Sequence, residues 1–459
     1  MNQPTQPGSL LTDQLRCPDD FVPFTVADHL SPRAGFFQFG PGLVCFGQCA
    51  AAVPAPSFSD RLPDVLLQAS SRGATVQLPF DPLQVVENLR HERYLGPAAP
   101  GHVANKTNRL IRKLYYLARP CMPVSFRKHL QRRYLSDWEQ IQFPAWPVDC
   151  TVENLIERLL VLALQASGSG RLPFIWFWPE GAPSCASVTH DVETAAGLDF
   201  CPQLMDLNDS FGIKSAFQIV PEDRYPIAPE QLQAIRDRGF EINIHDLKHD
   251  GNLLASHDEF LRRAAEINRD GRQFGARGFR AAVLYRNIDW YRDLDFSYDM
   301  SVPTVAHLDP QRGGCCTVFP FFNGRLLELP VTMSQDYALY HMLNDYSTRI
   351  WMQQIALIRE KHGLMKMIVH PDYNIDEKPR RVYAELLAHL ADLRARGETW
   401  IALPAEIDVW WRQRHAMRLV PHGDSWRIEG PGSERARLAY AILDSGKIRY
   451  EVEPVARVN

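Results

Sequence analysis

The segment Glu241-Ile-Asn-Ile-His-Asp-Leu-Lys-His-Asp250 joins an apolar, strand-like run to two histidines, His245 and His249. The run from Phe240 to Ile244 has the length and side chains of a buried strand. Residues four apart on a helical turn share a face, so both imidazoles could reach one metal ion. With 15 histidines in the chain this spacing is a weak signal by itself. Its place at the end of a strand makes the signal stronger.

Three further polar clusters also follow apolar runs. Asp191 and Glu193 end a run that begins at residue 185, Arg280 belongs to a later arginine-rich segment, and His370 ends the run that begins at residue 365. Taken singly, each has an ordinary structural interpretation as a helix cap, a surface arginine or a buried histidine. Loops at the carboxyl ends of parallel strands meet on one face of a sheet or barrel. The four clusters are therefore expected to form one site.

The pattern of apolar runs divides the chain into three parts. From about residue 181 to 412, strand-like runs alternate with amphipathic helical stretches, which predicts an α/β domain with a parallel sheet or barrel. Residues 1–180 are predicted to form an N-terminal accessory region of mixed α and β content. Residues 413–459 predict a small C-terminal β extension, since a turn at Asp444-Ser-Gly446 separates two strand-like runs.

Composition narrows the class of protein. The 459 residues are 45% hydrophobic and 23% charged, as in an ordinary globular chain, and the net charge of −4 gives no general case for nucleic-acid binding. Residues 105–135 contain nine Lys or Arg and no acid, which allows weak contact with a polyanion or a membrane surface, although a solvated helical face is the simpler interpretation. Without a signal peptide or a run of about 20 apolar residues, the expected location is cytoplasmic.

The order of these clusters resembles that of the polysaccharide deacetylase family, the NodB-homology carbohydrate esterases, over roughly residues 184 to 375. Five segments match the family's five motifs in turn: Thr189-His-Asp-Val-Glu193, His245-Asp-Leu-Lys-His249, Gly278-Phe-Arg-Ala-Ala282, Phe296-Ser-Tyr-Asp-Met-Ser301 and Val369-His-Pro371. Two residues depart from the pattern. Val192 stands where the strict first motif has a second Asp, and Ala282 stands where the third motif has Pro.

The resemblance implies a fold and a metal site. The fold would be a distorted (β/α) barrel of seven or eight strands, and the site would hold one divalent ion, with zinc favoured over cobalt, manganese or nickel. Glu193, His245 and His249 would be the metal ligands, with Asp191 as the alternative acid ligand.

The resemblance also implies an activity. The protein would be a hydrolase that removes N-acetyl groups from a polysaccharide or oligosaccharide, and an N-acetylated glycan would be its partner. Asp191 would act as the base, held by Arg280, and His370 as the acid, oriented by Asp299 or Asp336. Three alternatives remain open. The first is a catalytically weak carbohydrate-binding or scaffold protein, which Val192 and Ala282 favour. The second is an enzyme acting on a non-sugar amide, and the third is a protein whose function is dominated by an interaction module in the basic segment 105–135.

Overall fold

The computed structural model describes residues 9–18, 24–50, 52–73, 75–96, 129–130 and 132–454. The chain forms two compact units, one made of residues 1–94, 150–182 and 409–459 and the other of residues 95–149 and 183–408. The division into three domains at residues 180 and 412 stays a prediction. Most of the basic segment 105–135 lies outside the described residues. Within the described ranges, no helix is long and apolar enough to cross a membrane.

Nine α-helices have both ends within the described ranges. They are α1 Ser9–Leu15, α2 Pro82–Arg90, α3 Thr151–Ser167, α4 Ala195–Ser210, α5 Pro229–Asp237, α6 His257–Gln273, α7 Arg349–Glu360, α8 Glu377–Ala395 and α9 Pro404–Ala416. Local sequence explains several of their ends. The side chain of Ser256 caps α6 by accepting a hydrogen bond from the Glu259 N–H at 3.2 Å, and Gly168 ends α3 in the left-handed conformation.

The strands of the described ranges are mostly short. They are β1 Phe24–Val26, β2 Gly35–Gln38, β3 Val44–Gly47, β4 Ser70–Arg72, β5 Thr75–Leu78, β6 Arg171–Ile175, β7 Cys185–Val192, β8 Ala216–Ile219, β9 Glu241–His245, β10 Gly278–Arg280, β11 Tyr298–Asp299, β12 Phe321–Asn323, β13 Leu326–Glu328, β14 Leu364–Ile368, β15 Trp400–Ile401, β16 Arg418–His422, β17 Ser425–Glu429, β18 Leu438–Asp444 and β19 Lys447–Val452.

The second unit is built on one sheet of nine strands. Its order is β12-β13-β11-β10-β9-β8-β7-β14, with β15 also paired to β7, and eight of the nine strands run parallel. The sheet curls toward closure. The segment after β13 reaches β14, where the Met333 N–H donates to the Lys366 carbonyl at 3.2 Å. Nearby, the Thr332 hydroxyl donates to the Leu364 carbonyl at 2.6 Å. The predicted α/β fold with a distorted barrel is confirmed.

The central strand β7 shows how the barrel separates its two faces. Every residue of this strand is buried, as expected for a parallel strand covered on both sides. Because side chains alternate along a strand, Thr189 and Asp191 lie on one face and His190 on the other. The His190 ring packs against the Tyr383 ring of α8, with centroids 5.8 Å apart. His190 is thus a core residue, whereas its two neighbours are directed toward the barrel interior.

The first unit contains the C-terminal hairpin predicted from the sequence. β18 pairs antiparallel with β19 across the turn at Ser445 and Gly446, which confirms the predicted turn. β18 also pairs antiparallel with β6, so the C-terminal extension completes a three-stranded sheet with a strand from residues 171–175. The functional residues predicted from the sequence all lie in the second unit.

Candidate metal centre

The ends of parallel strands bring the predicted clusters together. His245 is the last residue of β9 and Arg280 the last of β10, and these two residues are partners in the register. Asp191 is the penultimate residue of β7, and His370 follows the end of β14 by two positions. Since all four strands run in the same direction, their ends meet at one face of the barrel.

Glu193, His245 and His249 form a group that fits a metal ion. Each offers one ligand atom, and these atoms lie within 4.8 Å of one another. Glu193 Oε1 is 2.8 Å from His249 Nε2 and 3.8 Å from His245 Nε2. Both Nε2 atoms are buried and make no hydrogen bond of acceptable geometry, a costly arrangement unless another partner satisfies them. Two imidazoles and one carboxylate are the protein ligands of many catalytic zinc sites.

The two histidines do not lie on a helical turn, so this premise of the prediction is wrong. Residues 247–251 form a series of bends, and Asp246 and His249 both have positive φ angles, of 58° and 52°. The Asp246 N–H donates to the Arg280 carbonyl at 2.8 Å, and the Leu247 side chain is completely buried in the core. These contacts fold the chain into an irregular loop. The loop still places the imidazole centroids of His245 and His249 4.9 Å apart.

Asp191 is held by an arginine and directed toward the metal group. Its Oδ1 accepts a hydrogen bond from Arg280 Nη1, and its Oδ2 lies 3.7 Å from His245 Nε2. Arg280 is fixed in turn, because Nη2 donates to the Thr189 hydroxyl at 2.9 Å and Nε to the Met300 carbonyl at 3.1 Å. Burial raises the pKa of Asp191, but Arg280 and the neighbouring histidines His245 and His370 together outweigh burial and leave this pKa below its ordinary value. Asp191 is therefore ionised at neutral pH.

The backbone that carries Glu193 is held by the loop after β8. Arg224 Nε donates to the Glu193 carbonyl at 2.9 Å. The Tyr225 hydroxyl donates to the Val192 carbonyl at 2.6 Å and accepts from the Val220 N–H at 3.0 Å. Sequence reasoning missed Arg224 and Tyr225, since no motif marks them and only the folded chain brings their loop to Glu193.

His370 pairs with Asp336. Its Nδ1 lies 2.6 Å from Asp336 Oδ1, and its N–H donates to Asp336 Oδ2 at 2.7 Å. Its other ring nitrogen, Nε2, lies 3.5 Å from Glu193 Oε1. Burial lowers the pKa of His370, but the Asp336 and Glu193 carboxylates together outweigh burial and hold this pKa well above its ordinary value.

Asp299 is not brought to His370. Its Oδ1 accepts a hydrogen bond from the Ser301 hydroxyl at 2.6 Å, and its register partner on β13 is Glu328. Burial raises the pKa of Asp299 above its ordinary value. Of the two acceptors left open by the sequence, the structure thus places Asp336 beside His370 and Asp299 within the barrel interior.

Aromatic rings flank His370 on one side. The Tyr373 ring centroid is 5.0 Å from that of His370, and the His341 ring lies 4.7 Å from Tyr373. Tyr337 extends the cluster, because its ring centroid is 5.3 Å from that of His341 and 6.2 Å from that of Tyr373. Tyr337, His341 and Tyr373 are only partly buried, so they form an aromatic wall that a ligand at His370 could contact.

No family model and no curated protein matches this chain. Among solved structures, a protein of Mycobacterium smegmatis assigned to the polysaccharide deacetylases is 19% identical over 52% of this chain and 93% of its own, with a TM-score of 0.43. A peptidoglycan deacetylase of Bacillus subtilis is 11% identical over 51% and 94%, with a TM-score of 0.34. A Bordetella bronchiseptica protein assigned to the polysaccharide deacetylases and to O-antigen biosynthesis is 18% identical over 51% and 86%, with a TM-score of 0.31.

These solved structures carry the family name that the sequence motifs suggested. Their identities are below 20% and their TM-scores are below 0.5. At such values the likeness says nothing about which reaction this chain performs. That question depends on the side chains at the ends of β7, β9, β10 and β14.

Proposed function

We propose that this protein is a metal-dependent hydrolase that cleaves a linear amide, and that its substrate is an N-acetylated saccharide. One observation carries the proposal: three metal-ligand side chains lie beside a carboxylate held by Arg280 and an imidazole held by Asp336. Hydrolysis of an amide needs a base for water and an acid for the leaving nitrogen. Both are present within 4 Å of the ligand group.

The distances support Glu193 as the acid ligand and Asp191 as the base. Glu193 Oε1 contacts both histidines of the group, whereas one oxygen of Asp191 is already occupied by Arg280. A divalent cation bound by the three ligands would polarise the amide carbonyl and make a nearby water molecule more acidic. The unoccupied Oδ2 of Asp191 is placed to accept the proton of that water.

His370 is placed to return a proton to the leaving nitrogen. The contact with Asp336 fixes Nδ1, so Nε2 is the ring atom directed toward Glu193 and the metal group. An orienting carboxylate of this kind sets both the tautomer and the ring direction of a catalytic histidine. Without such a proton the amine would leave poorly, and its departure would limit the rate.

A saccharide is the substrate class that the aromatic wall supports. The Tyr373 ring lies next to His370, the proposed proton donor, and the His341 ring lies next to Tyr373. Aromatic side chains combine a flat apolar face with a polar edge, which suits the mixed surface of a sugar ring. Zinc is the favoured metal, because two imidazoles with one carboxylate are typical of catalytic zinc sites.

The test is acetate release by the zinc-loaded protein from N-acetylated chito-oligosaccharides. We expect release by the wild-type protein, loss of at least about 100-fold in Asp191→Asn, and retained zinc in that variant. Equal acetate release by the two proteins would contradict the role of Asp191. Zinc binding without acetate release from any N-acetylated glycan would instead favour the binding or scaffold alternative.

Val192, which stands where the strict first motif has a second Asp, is a weaker argument against metal binding in the structure than it is in the sequence. The Val192 side chain is completely buried in the strand, and its carbonyl is bound by the Tyr225 hydroxyl. The acid in the metal group comes from the next residue, Glu193. A missing carboxylate at position 192 is therefore no reason to expect a weakened metal site.

A further inference from the structure

Arg224 presents a guanidinium beside the metal group with most of its donors unused. Its Nε donates to the Glu193 carbonyl at 2.9 Å, which fixes the side chain at the residue that supplies the acid ligand. Throughout the described ranges, no carboxylate pairs with Arg224 and no other acceptor bonds to its two Nη groups. The side chain is only partly buried, so it is in contact with solvent.

The acids next to Arg224 in the sequence are already paired elsewhere. Asp223 accepts from Lys248 Nζ at 2.9 Å, and Glu222 lies 3.3 Å from the same ammonium group. The positive charge of Arg224 is therefore not neutralised by its own loop. A guanidinium anchored by Nε directs a planar pair of N–H groups outward, which is the geometry that binds carboxylate or phosphate oxygens in pairs.

We infer that Arg224 binds an anionic group of the substrate, and that the substrate is an N-acylated sugar bearing a carboxylate or a phosphate. This inference rests on the proposed function and specifies its substrate class. Since Arg224 is anchored to the backbone of Glu193, the anion lies on the acylated sugar itself or on its neighbour in the chain. With a neutral N-acetylated sugar bound, the Nη groups of Arg224 would donate hydrogen bonds only to water.

Equilibrium binding tests this inference separately from catalysis. The zinc-loaded protein carries Asp191→Asn to prevent turnover, and calorimetry measures its affinity for N-acetylglucosamine, N-acetylglucosamine 6-phosphate and N-acetylmuramic acid. We expect at least one charged sugar to bind about 10-fold or more tightly than the neutral one. Tighter binding of N-acetylglucosamine 6-phosphate would identify the anion as a phosphate, and tighter binding of N-acetylmuramic acid would identify it as a carboxylate. The preference should weaken as salt is added, because the contact is ionic and partly exposed.

Two variants identify the residue responsible. Arg224→Gln should remove the preference for the charged sugar, measured as the ratio of the charged-sugar affinity to the neutral-sugar affinity in the same protein, because the guanidinium that contacts the anion is gone. Arg394→Gln is the matched control. Arg394 also donates to backbone carbonyls, those of Phe211 and Gly212, but these precede the start of β8 at the opposite end of the barrel. This control should keep the preference.

Three outcomes would overturn the inference: equal affinity for charged and neutral sugars, a preference that survives Arg224→Gln, or no detectable binding of any of the three. Zinc content and acetate release are measured on the corresponding proteins with Asp191 intact. If those proteins bind zinc and release acetate while the preference is absent, the proposed function stands and the role of Arg224 fails. If they neither bind zinc nor release acetate, the proposed function fails.

Discussion

His370 is joined to Asp336 by two contacts, one to its ring and one to its backbone. Nδ1 lies 2.6 Å from Oδ1, and the N–H donates to Oδ2 at 2.7 Å. One carboxylate therefore fixes both the position of the loop after β14 and the direction of the imidazole. Asp336 does not belong to the metal-ligand group, so its role can be separated from metal binding.

Replacing Asp336 should impair turnover without removing the metal. Asp336→Asn keeps the size of the side chain but loses the charge that orients the protonated imidazole, so we expect kcat for acetate release to fall by about 100-fold or more. Zinc content, measured on the same preparation, should stay at the wild-type level. An unchanged kcat would show that the pairing has no part in the reaction.

Gly197 is needed where it lies because a carboxylate packs against it. A Cβ atom at this position would lie 2.3 Å from Asp372 Oδ1, at the N-terminal end of α4. We expect Gly197→Ala to lower the free energy of unfolding by about 1–3 kcal/mol through overpacking. Urea denaturation measures this loss.

A double-mutant cycle identifies the cause of that loss. In an Asp372→Ala background the clashing oxygen is gone, so Gly197→Ala should cost clearly less there. If the cost is the same in both backgrounds, the clash with Asp372 is not its origin, and a general effect on α4 would be the better explanation.

Lys366 lies in the barrel interior, and its Nζ has no hydrogen-bond partner in the described part of the chain. Burial, reinforced by the charge of Arg280, lowers its pKa to about 7 from the ordinary value of 10.5. Between these two values the unfolded chain binds a proton that the folded chain does not. The contribution of Lys366 to stability should therefore rise as the pH increases from about 7 to about 10.

Lys366→Met isolates this contribution. Below pH 7 the wild-type protein keeps a buried charge, so the gain in unfolding free energy on substitution should be largest there. The gain should shrink toward pH 10, where the lysine is neutral in both states. Chemical denaturation of both proteins at several pH values measures the difference. A difference that does not change with pH would exclude a neutral Lys366 in the folded protein.

Repeating local patterns made the fold predictable. The mainly apolar runs that became β7, β8, β9 and β14 are four to eight residues long, and amphipathic helical stretches separate them along the chain. The short strands β10, β11 and β13 lack such a signal, because two or three residues carry no period. Their pairing is decided by the sheet rather than by their own sequence.

The candidate site was predictable where a motif lies at the end of a strand. Glu193, His245, His249 and His370 were named for that reason, and the structure brings them together. Residues that act across the fold were harder to find. The choice between Asp299 and Asp336 could not be made, since it depends on which loop reaches His370. The helical turn expected between the two histidines failed because burial of Leu247 and the bond from Asp246 to Arg280 favour an irregular loop.

The most direct test of the metal centre is the zinc content of matched carboxamide variants after equilibration with zinc and removal of the free ion. We expect about one zinc ion per chain in the wild-type protein and in Asp191→Asn, and loss of most of the zinc in Glu193→Gln, because the proposed acid ligand is Glu193 and the proposed base is Asp191. Full zinc in Glu193→Gln together with its loss in Asp191→Asn would reverse the two roles. Full zinc in a His245→Ala/His249→Ala variant would contradict the site itself.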